Sequence, residues 1–384
     1  MGRSVPDLPD LVRLLRFCGL YYTFNGPRAK VYENLQPIRP AFVVATSIMG
    51  IIALFVGGLR SSLGIEMCYA LLGLVTSLQC VHFYLRREDT ESTIELFQEI
   101  REKFQKGSEE EFKNNTRGIW MVVKVYGFLL VGTCMAMSLP FCTDLVIWAI
   151  WKTPKAFRIP MGMDSFLDKE PIRDAKYFFV MFAAGSWTII GSIAQLGADA
   201  FLFVACFSYS SMVMTFCKSL TIHSNLTPKE TTAHLKRVAA HQQQLFKLSV
   251  KMRLLFGLPF FVQNLFGAIC ICSLLFVIST DDSINMLKMF AYLINLLVTV
   301  SILGCTAYVG QHVKNKTSEV FEAIYEMNWY ELRPSDRRYL VTMLSAAREP
   351  MSIDFYGLLP LDMENFMKIL NTSYSYFMFL KSMI

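Results

Sequence analysis

The chain has 384 residues, of which 53% are hydrophobic, 14% aromatic and 18% charged, with a formal net charge of +6. A soluble domain carries about 25% charged residues, so this composition, with a mean hydropathy of +0.38, excludes an ordinary soluble domain. It points to a polytopic membrane protein in contact with lipid, and no nucleic-acid partner is expected.

The first 40 residues are read as a cytoplasmic segment. The opening MGRSVPDLPDLVRLLRFCGLYY lacks the long apolar core and small-residue cleavage site of a secretory signal. Leu8–Leu20 sets apolar residues at helical spacing around Arg13 and Arg16, the pattern of an amphipathic helix lying at the membrane interface.

A span needs about 20 apolar residues, and seven stretches qualify: Ala41–Leu59, Met67–Tyr84, Val125–Thr143, Tyr177–Ala198, Leu254–Thr280, Met289–His312 and Pro360–Ile384. With the N-terminus inside, the inner segments 1–40, 85–120, 217–256 and 311–361 hold 26 of the 37 lysines and arginines, and the outer segments hold 8. The positive-inside bias therefore predicts a cytoplasmic N-terminus and an extracellular C-terminus. G-protein-coupled receptors have the opposite orientation. The sequons at Asn114, Asn225 and Asn315 fall in inner segments and are expected to carry no glycan.

Apolar character continues from Tyr177 through Cys217, far beyond one membrane thickness. A hairpin broken near Gly191–Gly197 would place a basic segment outside, so one very long helix projecting into the cytoplasm is preferred. Its far end, with Phe201, Phe203, Phe207 and Met212, needs covering, and Gln242–Leu255 and Thr317–Leu344 offer apolar faces. The expected fold class is all-α, seven transmembrane helices over a helical cytoplasmic anchor layer. Its expected organisation is an N-terminal segment 1–40, helices one to six over 41–312, anchor helices over 313–359 and a last helix over 360–384.

No paired carboxylates, HExxH or GxSxG marks an enzyme, and no cofactor is expected. The ten cysteines fall mostly in apolar runs without CxxC spacing, which suits small buried hydrophobes better than zinc ligands or disulfides. His82, His223, His234, His241 and His312 read as interfacial or solvated, not as a metal site. Aromatic, Met and small residues do converge at one depth in the outer halves of the spans. Met67, Tyr69 and Leu72 open span two, and Cys134, Met137, Ser138 and Phe141 close span three. Phe178, Met181 and Phe182 open span four, and Phe290 and Ile294 come from span six. That mixture suits a pocket for a small apolar ligand.

The last span carries a different pattern. Lys368, Asn371, Thr372, Ser375, Phe379, Ser382 and Met383 recur every three or four residues and share one stripe. A polar stripe facing lipid is costly, so this one is expected to face water or another helix. An apolar ring at Phe379 among polar neighbours is the arrangement that gates a pore by dewetting.

LVTMLSAAREPMSIDFYGLLPLDMENFMKILNTSYSYFMFL resembles the C-terminal end of insect odorant receptors, with Pro350, the FYGLL of Phe355–Leu359 and the Ser373–Phe377 run SYSYF. HLKRVAAHQQQLFKL, from His234 to Leu248, is similar to that family's inner loop before span five. The resemblance implies a ligand-gated cation channel of four subunits, lined by each last span, with an odorant bound in the outer half of the bundle. It also implies residence in the plasma membrane of olfactory sensory dendrites. In the family's shared co-receptor and in gustatory receptors, Thr-Tyr in the last span is followed after five residues by Gln. Here Ser375-Tyr376 is followed at that spacing by Ser382. The inner loop also lacks the co-receptor's long insertion. Both departures imply an odorant-tuning subunit that works in a heterotetramer with the co-receptor. A gustatory-type subunit, or a G-protein-coupled or transporter-like protein, are the alternatives.

Overall fold

The computed structural model describes residues 38–56, 65–104, 125–128, 132, 175–220, 227–280 and 286–383. These build eight helices: α1 (Ile38–Val56), α2 (Ile65–Leu85), α3 (Arg87–Phe104), α4 (Ala175–Ser219), α5 (Pro228–Thr280), α6 (Met286–Tyr325), α7 (Arg337–Ala347) and α8 (Met363–Ser382). A 3-10 turn at Trp329–Glu331 separates α6 from α7. Residues 125–128 and 132, within the expected third span, are helical. The amphipathic helix expected at Leu8–Leu20 and the rest of span three lie outside the described residues.

Three helices dominate. α4, α5 and α6 have 45, 53 and 40 residues, which at 1.5 Å per residue is about 68, 80 and 60 Å. Each is about twice the 30 Å hydrocarbon core. Among residues with described side chains, Ile190–Ser219, Pro228–Thr280 and Met289–Tyr325 are long and apolar enough to cross a membrane. The stretch from Tyr177 to Cys217 is thus one helix, not a hairpin. Spans five and six are continuous with the polar segments that flank them in sequence.

α5 starts where the sequence sets a capping box. The Thr227 backbone N–H donates to Glu230 Oε2 at 2.8 Å and the Glu230 N–H donates to Thr227 Oγ1 at 3.4 Å, with Pro228 as the first helical residue. The final helix starts at Met363, so Pro360 lies outside it. Asp362 caps it, its Oδ1 accepting from the Asn365 N–H at 2.9 Å.

The projecting ends form a basal layer. Phe201, Phe203, Phe207, Met212 and Phe216 of α4 are buried there among Leu245, Leu248, Met252 and Phe256 of α5 and Val313, Val320 and Ile324 of α6. α3 docks on this layer through Thr93, Ile94, Phe97 and Ile100. α7 docks through Leu340, Met343 and Ala347, and Gln242 Nε2 donates to the Met343 carbonyl at 2.9 Å. His241 is stacked flat on Phe104, with ring centroids 4.2 Å apart, and meets the edge of Phe216 at 5.4 Å. Burial, and secondarily the charge of Arg237, pushes this imidazole down to about 4.

The connector from the basal layer to α8 is pinned by two glycines. A Cβ on Gly257 of α5 would collide with the Asp354 carbonyl, and one on Gly310 of α6 with the Leu361 carbonyl. Between them the chain turns sharply, with positive φ at Tyr356, Gly357 and Leu359, and Phe355 and Leu358 exchange backbone hydrogen bonds of 3.2 and 2.9 Å. Lys314 Nζ holds Asp362 Oδ2 at 2.9 Å and Arg253 Nε donates to the Ser352 carbonyl at 3.1 Å.

Two outcomes follow. Gly257→Ala and Gly310→Ala are expected to lower the melting temperature of the purified protein, by overpacking worth about 1–3 kcal/mol each. Gly304→Ala, whose Cβ would make an ordinary 3.5 Å contact with Phe366, should be near neutral in the same fluorescence-detected melt. The folded chain protonates His241 near pH 4, whereas an unfolded chain does so near 6.5. Stability is therefore full above pH 6.5 and falls as the pH drops through this window. The melting temperature should fall less steeply there in His241→Phe than in the native protein.

Candidate functional site

A cavity of about 70 Å³ opens between α2, α4, α5 and α6, several times the roughly 10–15 Å³ that one water occupies. Leu72, Val75, Cys270, Leu274, Val298 and Leu303 make it mostly apolar. Gly267 of α5 lets Leu303 of α6 come close to its backbone. Gln195, Gln263 and Asn295 add amides to the wall. Asn295 Nδ2 is already engaged, donating to the Ala291 carbonyl at 2.9 Å.

Behind the cavity lies a buried polar chain joining four elements. Tyr126 donates its hydroxyl to Asp199 Oδ2, and both groups are fully buried. Gln195 Nε2 donates to the same carboxylate oxygen at 2.7 Å and to Gln263 Oε1 at 3.2 Å. Gln79 Nε2 donates to Gln263 Oε1 at 2.8 Å. Thr76 donates to Gln195 Oε1 at 3.4 Å and to the Leu72 carbonyl at 2.9 Å. Gln79 Oε1 is buried without a partner, and the Gln263 side chain also reaches the Asp199 carboxylate. In an apolar medium such groups are costly unless paired, so a connected network of this kind fixes the packing of the helices that carry it.

Sequence reasoning set Asp199 where the fourth helix leaves the membrane and passed over Gln79, Gln195 and Gln263. The signal was an amide inside an otherwise apolar run on each of three helices, since a polar residue there is retained for a reason.

Of the nominated pocket residues, Leu72 lines this cavity, and Met67 stands next to it, its Sδ accepting from the Ser273 hydroxyl at 3.8 Å. Phe290 is exposed and Ile294 half-buried, and neither lines the cavity. Tyr69, Phe178, Met181 and Phe182 sit on described helices, but their side chains are outside the described set, as are Cys134, Met137, Ser138 and Phe141 entirely. The neighbouring Cys68 and Cys270 approach each other's backbone, with sulfur-to-carbonyl distances of 3.7 and 3.9 Å.

α8 binds the bundle by one narrow face. Asn365, Ile369, Ser373 and Phe377, four residues apart, are buried, and the Ser373 hydroxyl donates to the Ala268 carbonyl at 3.1 Å. Asn371, Thr372, Ser375, Tyr376, Phe379, Ser382 and Met383 are all exposed, Phe379 to 61%. The hydroxyls of Ser375 and Ser382 donate back to their own helix, to the Asn371 carbonyl at 2.9 Å and the Phe379 carbonyl at 2.7 Å. Among the described residues, no group of His, Cys, Asp and Glu side chains could hold a metal ion.

The family model of the 7tm odorant receptors matches residues 61–374. Odorant receptor 85f of Drosophila melanogaster is 23% identical over 219 residues, 56% of this chain and 55% of that protein. Odorant receptor Or2 of Anopheles gambiae is 26% identical over 153 residues, 40% of this chain and 38% of that protein. The chain thus spans about half the length of the first of these relatives and less of the second. The insect olfactory receptor OR5 from Machilis hrabei, solved in complex with eugenol, superposes with a TM-score of 0.80 over 98% of both chains at 12% identity. A second structure of OR5 gives 0.76 over 97% of both chains. The all-α, seven-transmembrane fold is therefore that of the insect olfactory receptors.

Removing the Tyr126 hydroxyl strips one donor from a carboxylate with no access to water. Tyr126→Phe should destabilise the protein by about 1–3 kcal/mol or more, seen as a lower melting temperature and less protein at the cell surface. Tyr209→Phe, a buried tyrosine outside this network, serves as the comparison.

Proposed function

The chain belongs to the 7tm odorant receptor family, and on that premise we propose that it is an odorant-tuning subunit of a ligand-gated cation channel. It binds a small apolar odorant inside the transmembrane bundle and opens a non-selective cation pore, in a heterotetramer with the family's shared olfactory co-receptor. It works in the plasma membrane, with the N-terminus and basal layer cytoplasmic, in the dendrite of olfactory sensory neurons. No step in this role calls for enzyme chemistry.

The observation that carries the pore assignment is the attachment of α8. The helix is held by the face that carries Asn365, Ile369, Ser373 and Phe377, with Phe366 and Leu370 half-buried beside it, and the opposite side is open. A subunit that contributes one helix to a shared pore must leave the pore-facing side of that helix free of its own bundle. The exposed stripe has hydroxyls and amides at Asn371, Thr372, Ser375 and Ser382, interrupted by Phe379, which supports an apolar gate between wetted levels. Ser382 in place of the glutamine of co-receptors and gustatory receptors favours the odorant-tuning role. The pocket assigned to the outer bundle, with Met67, Tyr69, Leu72, Cys134, Met137, Ser138, Phe141, Phe178, Met181, Phe182, Phe290 and Ile294, remains part of this reading.

Co-expression with the co-receptor should yield cation currents evoked by members of a volatile panel. In that assay Phe379→Ala is expected to raise the ligand-independent leak or to change the relative permeability to sodium and potassium. Unchanged leak and permeability at normal surface expression would remove Phe379 from the gate.

A further inference from the structure

We propose that Leu303 of α6 is the side chain through which a ligand in the cavity acts on the last helix. The proposal rests on the reading of the chain as an odorant-gated channel subunit and names the residue that links its two sites.

Two groups of side chains meet at this residue. The cavity between α2, α4, α5 and α6 has Leu303 in its wall. A separate apolar cluster joins Leu303 to Ile271 of α5 and Ile369 of α8, with Phe366 and Leu370 of α8 packed against it. Among the described residues, Leu303 is the one that belongs both to the cavity wall and to this cluster. It is 2% exposed, so both sets of contacts lie in the interior.

The backbone of α5 limits where Leu303 can go. Its methyl carbons lie so close to Gly267 that a Cβ there would stand 2.8 and 3.0 Å from them. The residue after Gly267 is tied to the last helix, since the Ala268 carbonyl accepts the Ser373 hydroxyl at 3.1 Å. The ring of Phe366 rests beside Gly304, the residue after Leu303. Leu303 thus has the α5 backbone on one side and the attachment of α8 on the other.

The cavity holds about 70 Å³, small beside the roughly 300–1,000 Å³ of pockets that enclose drug-sized ligands. Admitting even a compact volatile therefore displaces part of the wall. An interior packs too densely for a displaced side chain to leave its neighbours in place. Because Gly267 blocks the path toward α5, the neighbour that yields to Leu303 is Ile369, and with it a contact that seats α8.

The test uses the full-length chain in complex with its co-receptor, and a panel of volatile ketones, esters, alcohols and phenols. Binding is read from the ligand-induced shift in melting temperature, and gating from the maximal current. Leu303→Ala should keep the thermal shift while the maximal current falls, through a change of about 2- to 30-fold in the gating equilibrium. Ile369→Ala, outside the cavity wall, should give the same pattern, and the double variant should be no worse than either single one. Val298→Ala, in the wall but outside the cluster, should move potency and thermal shift together. Leu303→Val carries the same comparison if Leu303→Ala does not reach the cell surface. Thermal shift and maximal current that fall together at position 303 overturn the proposal, as do effects at 303 and 369 that add. So does an equal split between binding and current in Val298→Ala. Each of these outcomes leaves the odorant-receptor reading standing. A complex at normal surface expression that responds to no volatile overturns both.

Discussion

The dominant constraint on this molecule is that three of its helices are about twice as long as the membrane is thick. A helix satisfies its own backbone inside lipid and needs nothing further there. Beyond the lipid, the apolar side chains of α4 must be buried by protein, because Phe201 to Phe216 would otherwise face water. Each large side chain buried in this way contributes about 1.5–3 kcal/mol. The basal layer is the consequence. α5 and α6 continue past their apolar stretches to cover α4, and α3 and α7 close the sides that remain open.

That layer also sets the position of the last helix. The chain leaves α7, crosses under α5 and α6, and reaches α8 through a turn that fits because Gly257 and Gly310 have no side chain. The Lys314–Asp362 contact then fixes the first turn of α8 to α6, since the same Asp362 caps the helix. Asp362 is almost fully buried while Lys314 stays 37% exposed, so the pair serves to place the helix start more than to add stability. The connector to α8 thus touches both α5 and α6, through the close approaches at Gly257 and Gly310 and through the Lys314–Asp362 pair. The cavity between α2, α4, α5 and α6 is built from the same α5 and α6, which places it and the base of the last helix on shared elements.

Much of this was legible in the sequence because it rests on patterns with a single physical cause. Uncharged runs of membrane length gave the spans, and the unbroken apolar stretch after Tyr177 gave the length of α4, borne out as Ala175–Ser219. The continuity of α5 and α6 was harder to see. Gln242–Leu255 and Thr317–Leu344 read as covering faces of a helical layer, but hydropathy gives no sign that these charged segments run unbroken into spans five and six, as they do from Pro228 and to Tyr325. The polar network was missed for another reason. Gln79, Gln195 and Gln263 are uncharged, so a search for ionisable residues does not stop at them. Their meeting depends on the depth and rotation of three helices, which no single segment encodes.

The two kinds of polar group in the bundle are used in opposite ways. On α8 the serine hydroxyls at 375 and 382 bond to their own helix. They ask nothing of a neighbour, and they can turn toward water when water is there. Such groups suit a surface whose surroundings change between closed and open states. The amides of Gln79, Gln195 and Gln263 bond across helices and hold one another in fixed orientations, and Gln195 also holds Asp199 of its own helix. That second property suits a structural joint, because groups that hold one another fix the rotation and depth of α2, α4 and α5 against each other.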